Sequence, residues 1–243
     1  MKYNLELIHL EKNFKDVFGA YMLKDAEFDL DHYDIPFVDY RYDNCLPLKL
    51  VSYSKLGSTE ADKDTFVHFY QDDYIFDGTY GIWNSLIRSN EFQKGFNFRK
   101  IEKVGGIICP DYSVYGDMPE YLKIWNVARS RTVGHYFNRL GIPAIPNVHW
   151  LGPESYGYCF AGLRKNSIYA VSTLGCLRSR NEYELFYPGL IELIKRKQPK
   201  TLIVYGTLNK KIQHILSDNN VNYLFFPSEI SEAMEVKHGN ESK

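Results

Sequence analysis

Four side chains in the sequence have the types that acid–base or nucleophilic chemistry requires: Asp73, Asp111, Ser113 and His149. Each follows a short apolar run that is typical of a buried strand. In a parallel sheet, ligands bind beyond the carboxyl ends of the strands, so residues at those ends share one edge. We predict that the four are catalytic residues of one polar cleft, acting on a sugar-like or nucleoside-like small molecule with a glycosidic bond or a phosphate.

Six further residues are candidates for ligand binding at the same cleft. Four of them lie at the carboxyl ends of predicted strands, and the two arginines stand two positions apart on a predicted helix, so that only one of the arginines can face a ligand. For both arginines, solvated helix charge is the favoured alternative. The six are Trp150, Ser172, Thr173, Tyr205, Arg129 and Arg131.

Several of these candidates also have an ordinary structural explanation. Asp111 belongs to the turn sequence Pro110-Asp-Tyr-Ser113, and an aspartate before a helix is often only a cap. A histidine such as His149 is more often hydrogen-bonded within the structure than catalytic. Trp150 is typical of a packing residue at a strand end. Asp72 and Asp73 would point to opposite faces of an extended segment, and we predict that Asp73 faces the cleft.

Metal and cofactor signals are weak. Carboxylates with one imidazole suit a hard or borderline divalent ion, but no His-Glu-x-x-His or comparable spacing is present, so no metal ligand is assigned and the cofactor is unknown. The sequence lacks the Gly-x-Ser-x-Gly, phosphate-loop, dinucleotide-binding and kinase motifs, which excludes the commonest nucleotide-binding and hydrolase classes. Four scattered cysteines without Cys-x-x-Cys pairs predict reduced thiols: Cys45, Cys109, Cys159 and Cys176.

Seven apolar or β-branched runs predict strands, and the stretches between them predict helices. The longest predicted helix begins at an Asp117 cap, places Tyr121, Trp125, Ala128 and Phe137 on its apolar face, and ends at Gly141. Pro146 argues against a regular central strand at its position. The predicted strands are residues 48–53, 66–70, 104–109, 144–149, 168–173, 201–205 and 222–226; the predicted helices are 79–92, 117–141, 188–197 and 209–217.

Strands that alternate with helices predict an α/β fold with a mainly parallel sheet and helices on both faces. A TIM-like barrel, complete or incomplete, is favoured over an open doubly wound sheet, because no glycine-rich phosphate loop opens any helix. One domain over residues 1–230 is expected, followed by a polar and flexible tail over 231–243.

Composition limits the possible partners. The 243 residues carry 29 Lys and Arg against 30 Asp and Glu, a net charge of -1, which argues against nucleic acid as the main partner. The cationic cluster at residues 195–200 (Lys195, Arg196, Lys197 and Lys200) allows weak local phosphate contacts, although the charge of a helix C-terminus explains it equally. No signal-peptide core or apolar run of membrane-spanning length is present, which predicts a protein of the bacterial host cytoplasm with no membrane partner.

With these segments placed, the sequence resembles an uncharacterised family, a domain of unknown function found in phages, plasmids and other mobile elements of bacteria. The resemblance covers about residues 66–206 and implies a phage or mobile-element protein, but it brings no known activity, cofactor or catalytic residue. Its motifs are Phe69-Tyr-Gln-Asp-Asp-Tyr74 with Phe76 and Trp83, Pro110-Asp-Tyr-Ser113, Tyr115-Gly-Asp-Met-Pro119, Arg129-Ser-Arg131 with Gly134 and Tyr136, Gly141-Ile-Pro-Ala-Ile-Pro146 with Trp150, Ser172-Thr-Leu-Gly175 and Tyr205-Gly206.

Three functional hypotheses remain open from the sequence. The first is a phage or mobile-element accessory protein with a ligand-binding or catalytic cleft for a small polar ligand at the strand ends. The second is a non-catalytic protein that binds a host or phage macromolecule, such as a protein of host takeover or defence, which the 20 tyrosines suit. The third is weak, local nucleic-acid binding through residues 195–200.

Overall fold

The computed structural model describes residues 18–29, 33–40, 45–60, 62–88, 96–229 and 231, and these divide into two compact units. Unit 1 comprises the described residues up to Asn147 together with Gly157–Arg164. Unit 2 comprises Val148–Tyr156 and the described residues from Lys165 onward. The single domain over residues 1–230 stays a prediction. The predicted tail, apart from Ser231, lies outside the described residues.

Unit 1 is built on a four-stranded parallel sheet. A short antiparallel pair, β1 (Phe28–Asp29) and β2 (Ile35–Pro36), precedes it and was not predicted. The sheet consists of β3 (Lys49–Ser52), β4 (Thr65–His68), β5 (Gly106–Ile108) and β6 (Ala144–Ile145), in the order β3-β4-β5-β6. β6 ends directly before Pro146, which cannot donate to a strand ladder. All three strand pairs of this sheet are parallel, as the alternation of strands and helices predicts.

The helices of unit 1 are α1 (Asp73–Phe76), α2 (Ile82–Arg88), α3 (Phe96–Ile101) and α4 (Glu120–Arg139), with 3-10 turns at Ala20–Leu23 and Tyr53–Lys55. Its core joins the sheet to α4 through Val67, Ile107, Val133 and Phe137. The close approach of α4 to β5 requires Gly134, because a Cβ there would lie 2.4 Å from Cys109 Sγ.

The face that α4 buries differs from the predicted one. Tyr121 and Trp125 are exposed, and the Asp117 cap was wrong, since the helix begins after Pro119 without a side-chain cap. The interpretation of Arg129 and Arg131 as solvated charge was also wrong, because both are buried. The buried face is polar because backbone carbonyls of neighbouring segments accept hydrogen bonds from it; its polar members are Lys123, Asn126, Arg129, Ser130, Arg131 and Thr132.

Unit 2 contains a three-stranded parallel sheet, β7 (Ile168–Ser172), β8 (Thr201–Gly206) and β9 (Asn222–Pro227), in that order. The short helix α5 (Tyr156–Cys159) lies at the boundary of the units in the chain, after a 3-10 turn at Pro153–Ser155. The long helices of unit 2 are α6 (Arg180–Lys197) and α7 (Lys210–Asp218).

Helix α6 begins eight residues before the start that Pro188 suggested. Ser179 and Glu182 form a capping box, in which the Ser179 side chain accepts from the Glu182 N–H and Glu182 accepts from the Ser179 N–H. Pro188 therefore lies inside the helix. Each of the seven predicted strands is present with shifted ends, which confirms an α/β fold with mainly parallel sheets. The TIM-like barrel stays a prediction. In the part of the chain that the structure describes, no helix is long and apolar enough to cross a membrane.

Candidate functional site

Two predicted catalytic residues meet at the carboxyl end of the unit 1 sheet. Asp73 opens α1 after β4, and Ser113 follows β5. The Ser113 hydroxyl donates to Asp73 Oδ1 over 2.8 Å, and the Ser113 N–H donates to Asp73 Oδ2 over 3.0 Å. Burial raises the pKa of the half-buried Asp73 carboxyl above its ordinary value, although the Ser113 hydrogen bonds oppose this effect. Asp73 is therefore held in one orientation in a partly desolvated position.

Asp111 lies at the same edge of the sheet. Its Oδ1 accepts a hydrogen bond of 2.6 Å from the side-chain amide of Asn147, whose own oxygen accepts one of 2.8 Å from the Tyr70 hydroxyl. After burial, the negative charge of Asp111 is a smaller cause of the raised pKa of Asp73. We call Asp73, Asp111, Ser113 and Asn147 the carboxylate cluster.

A buried arginine, Arg129, is connected to the carboxylate cluster through Asn126. Arg129 Nη1 donates to Asp77 Oδ1 over 2.8 Å, Nη2 donates to Asn126 Oδ1 over 2.7 Å, and the guanidinium lies 3.9 Å from the centre of the Tyr112 ring. Asn126 in turn donates to the backbone oxygen of Ser113 over 2.6 Å. The Arg129 Nε and the Tyr112 hydroxyl have no hydrogen-bond partner among the described residues. Burial raises the pKa of Tyr112 well above its ordinary value, so the phenol stays neutral.

Five exposed aromatic rings lie on α1, in the turn after it, in the loop before α4 and on α4. Tyr74 adjoins Asp73 in α1, and Tyr80 follows in the next turn with 83% of its surface exposed. Trp125, on the first turns of α4, lies edge to face with Trp83 at 5.3 Å between ring centres. The exposed rings of these segments are Tyr74, Tyr80, Tyr115, Tyr121 and Trp125, and we call them the aromatic rim.

His149, Trp150 and Ser172 belong to unit 2, where they line a cavity of about 170 Å³. The cavity lies beyond the end of β7 and beside the first turns of α6. Its apolar wall consists of Val148, Trp150, Leu151, Leu185 and Phe186, and its polar wall consists of His149, Ser172, Cys176 and Glu182, with Gly175 at its edge. The structure thus assigns Asp73, Asp111 and Ser113 to unit 1 and His149 to unit 2.

The other ligand-binding candidates make structural contacts. Thr173 Oγ1 donates to the Tyr205 carbonyl and accepts from the Thr207 N–H, which ties the ends of β7 and β8 together. Arg131 donates to the backbone oxygens of Asn147, Cys159 and Ala161, all within unit 1. A ligand-binding role for Thr173, Tyr205, Arg129 and Arg131 stays a prediction.

Two further kinds of site can be compared with the structure: a metal site and a phosphate-binding site at residues 195–200. Among the described residues, no group of three His, Cys, Asp or Glu side chains is arranged to hold a metal ion. In the cationic cluster at residues 195–200, Arg196 Nε and Lys195 Nζ lie 2.7 and 3.8 Å from carboxylate oxygens of Glu192. The charge of Glu192 therefore offsets part of the positive charge of the cluster.

Sequence reasoning missed three members of the unit 1 site: Tyr70, Asp77 and Asn126. One local signal pointed to Asn126, because Asn126 and Arg129 are three residues apart and therefore share a face of α4. The contacts of Tyr70 and Asp77 have no such signal, since their partners are 77 and 52 positions away along the chain.

Comparison with known proteins identifies the family. The model described as "Domain of unknown function (DUF4417)" matches residues 28–223, and the chain belongs to this family. The chain is 34% identical over 178 residues to the Gene 1 proteins of Mycobacterium phages D29 and L5. The match covers 72% of this chain, 61% of the D29 protein and 72% of the L5 protein. No solved structure matches the chain. The predicted likeness to a phage family of unknown function is confirmed.

Proposed function

We propose that this member of the DUF4417 family is an enzyme that uses the carboxylate cluster for general acid–base chemistry on a small hydroxyl-rich ligand of the sugar or nucleoside class. The observation that supports this proposal most strongly is that Asp73, held by two hydrogen bonds from Ser113, and Asp111 both follow the carboxyl ends of the adjacent parallel strands β4 and β5. Paired carboxyl groups, one with a raised pKa, supply the acid and the base of many hydrolases.

The raised pKa of Asp73 favours this residue as the general acid and leaves Asp111 as the general base. Asp73 holds its proton to higher pH than an ordinary aspartate, which suits it to donate that proton to the leaving group, at the glycosidic oxygen of a sugar or at a ring nitrogen of a nucleoside base. Asp111 accepts a proton from the attacking water, whose oxygen forms the new bond to the sugar carbon as the bond to the leaving group breaks. Ser113 keeps the Asp73 carboxyl oriented through two hydrogen bonds.

Charge and surface shape favour a neutral polyhydroxyl ligand over a phosphate. Asp73, Asp77 and Asp111 outnumber Arg129, and Arg129 already pairs with Asp77, so a phosphate would meet net negative charge. Sugar hydroxyls donate well to carboxylates, and the exposed rings of the aromatic rim offer flat apolar faces for the ring of a sugar or a base.

The test is turnover of a panel of methyl glycosides, disaccharides and unmodified nucleosides, whose leaving groups need a proton from a general acid. We expect Asp73→Asn and Asp111→Asn to lose about 100-fold or more in kcat/KM, the usual contribution of general acid–base catalysis. Asp72→Asn is the matched control, because Asp72 precedes Asp73 but makes no side-chain cap bond, and its activity should be unchanged. Activity of the wild type should fall as the pH rises through the pKa of Asp73.

Two results would contradict the proposal that the protein is an enzyme. One is that Asp73→Asn and Asp111→Asn turn over a substrate as fast as Asp72→Asn does. The other is a panel in which no compound is converted and none raises the melting temperature of the wild type more than that of Asp111→Asn.

The aromatic rim favours a second candidate function, the binding of a host or phage protein without catalysis. Tyrosine and tryptophan are enriched at the energetically important centres of protein interfaces. Replacement of Tyr80 or Tyr121 by Ser should then abolish recovery of a stoichiometric partner from infected cells, whereas Tyr183→Ser, at a half-exposed ring of unit 2, should not. Equal recovery with all three variants would refute this candidate.

A further inference from the structure

The cavity of unit 2 is separate from the chemistry proposed above, since it uses none of the residues of the carboxylate cluster. Its volume is about 170 Å³, and it lies beyond the carboxyl end of β7. A dry apolar cavity of ~150 Å³ in another protein accommodates a benzene molecule. The cavity therefore has room for one six-membered ring with a small substituent.

The apolar wall of the cavity is held in place by several contacts. Trp150 stacks on Phe186 with 5.3 Å between the ring centres, and its Nε1 donates to the Leu185 carbonyl over 3.3 Å. Gly189 lies against the indole so closely that a Cβ there would be 2.0 Å from Trp150 Nε1. The wall is therefore formed before any ligand arrives, which reduces the entropy that binding costs.

The polar wall determines which substituents fit. Ser172 Oγ accepts a hydrogen bond of 3.1 Å from the Leu174 N–H, and a hydroxyl that accepts one bond can still donate its own proton. Glu182 contributes a carboxylate, which accepts from the Arg178 and Ser179 N–H groups at the start of α6. A negative charge on the wall disfavours an anionic ligand.

We infer that this cavity is a binding site for a small planar aromatic ring, neutral or cationic, that packs against Trp150, Phe186 and Leu185 and forms a hydrogen bond with the Ser172 hydroxyl. Aromatic rings suit such a wall better than saturated rings, because ring faces and edges attract one another beyond their buried area. Most binding pockets for small molecules combine apolar walls with a few polar groups in this way.

The probes are phenol, benzamidine, benzoate and cyclohexanol, titrated into the full chain and followed by amide chemical shifts in NMR spectra. We expect phenol and benzamidine to bind with dissociation constants of about 1 mM, typical of ligands with so few atoms. Shifts should concentrate at residues 148–151 and 172–176. Benzoate should bind at least ~10-fold more weakly because of Glu182, and cyclohexanol likewise because it is not planar.

A matched pair of variants tests the location. Leu185 and Ile191 are both on α6 with 45% and 48% of their surface exposed, but only Leu185 lines the cavity. We expect Leu185→Ala to weaken phenol binding about threefold or more and Ile191→Ala to leave it unchanged. Ser172→Phe should fill the space and abolish binding. If that variant does not fold, the comparison of Leu185→Ala with Ile191→Ala still tests whether phenol binds in the cavity.

The inference is overturned if phenol fails to bind at 20-fold its expected dissociation constant of about 1 mM. It is also overturned if phenol binds no more tightly than cyclohexanol, or if Leu185→Ala and Ile191→Ala affect binding equally. None of these results bears on the proposed enzyme, whose variants Asp73→Asn and Asp111→Asn lie in unit 1.

Discussion

Replacement of Arg131 by Lys should destabilise unit 1 strongly. The side chain is 2% exposed, and its guanidinium donates to the backbone oxygens of Asn147, Cys159 and Ala161 over 2.6, 3.1 and 3.2 Å. These bonds connect α4 to the end of β6 and to the segment around α5. Lysine keeps the positive charge, but a single ammonium cannot reproduce the fork that serves all three carbonyls.

The magnitude follows from the bonds that are lost. A hydrogen bond to a charged group contributes about 1.5–3 kcal/mol, and a buried carbonyl left without a donor costs about 1–3 kcal/mol. If the ammonium of the substituted lysine serves one carbonyl, two bonds are lost, and the free energy of unfolding should fall by about 3–6 kcal/mol. This is a large part of the stability of a typical domain, ~5–15 kcal/mol.

Urea denaturation followed by tryptophan fluorescence measures the loss. In a Trp150→Phe background the remaining tryptophans, Trp83 and Trp125, both belong to unit 1 and report on it. Arg180→Lys is the control, because that side chain is exposed and makes a single surface ion pair with Glu184, so a change within ~0.5 kcal/mol is expected. A loss below about 1 kcal/mol for Arg131→Lys, at an unchanged denaturant slope, would refute the reasoning.

Three further predictions concern other parts of the molecule. Ser113→Ala removes a hydroxyl that stabilises the ionised Asp73, so it should raise the pKa of Asp73 further in a carbon-13 NMR titration and move the alkaline limb of activity to higher pH. Gly189→Ala should push the Trp150 indole out of place, which lowers the melting temperature, costs about 1–3 kcal/mol and shifts the emission of Trp150. Duplex DNA, if it binds at residues 195–200 through about three phosphate contacts, should show a slope of log K against log salt of roughly -3 by fluorescence anisotropy.

Each of these has a contradicting outcome. A pKa of Asp73 that falls in Ser113→Ala would show that the hydroxyl does not stabilise the carboxylate. Gly116→Ala, where a Cβ meets nothing within 4 Å, is the control for Gly189→Ala, and equal effects of the two would exclude the indole contact as the cause. Tight DNA binding that persists at high salt would point to base stacking on tyrosines.

The strands could be predicted from the sequence because their signal is local. The run at residues 201–205 is apolar and β-branched, and it forms the buried centre of β8. The start of α6 was missed although the Ser179 and Glu182 capping box is equally local, because Pro188 was treated as a beginning. A proline inside a helix normally lowers its stability, yet Pro188 lies within α6.

The side chains that α4 buries could not be predicted from the spacing of its apolar residues. Tyr121 and Trp125 have the spacing of a core face and are exposed, whereas Arg129 and Arg131 are buried. The reason is that carbonyls of distant segments satisfy the buried polar groups. Hydropathy counts an arginine as a surface residue whatever acceptors the fold places around it.

Local sequence patterns were enough to identify the family, the α/β class and the seven strands, although the strand ends shifted, because periodicity, turn residues and motif order are properties of neighbouring residues. These local signals were sufficient to predict that Asp73, Asp111 and Ser113 lie at one edge of a parallel sheet. Which of these residues touch, and what surrounds them, depends on the tertiary structure. Ser113 bonds to a carboxylate 40 positions away, and Asn147 to one 36 positions away. Contacts over such separations depend on the packing of whole elements, which no local pattern records.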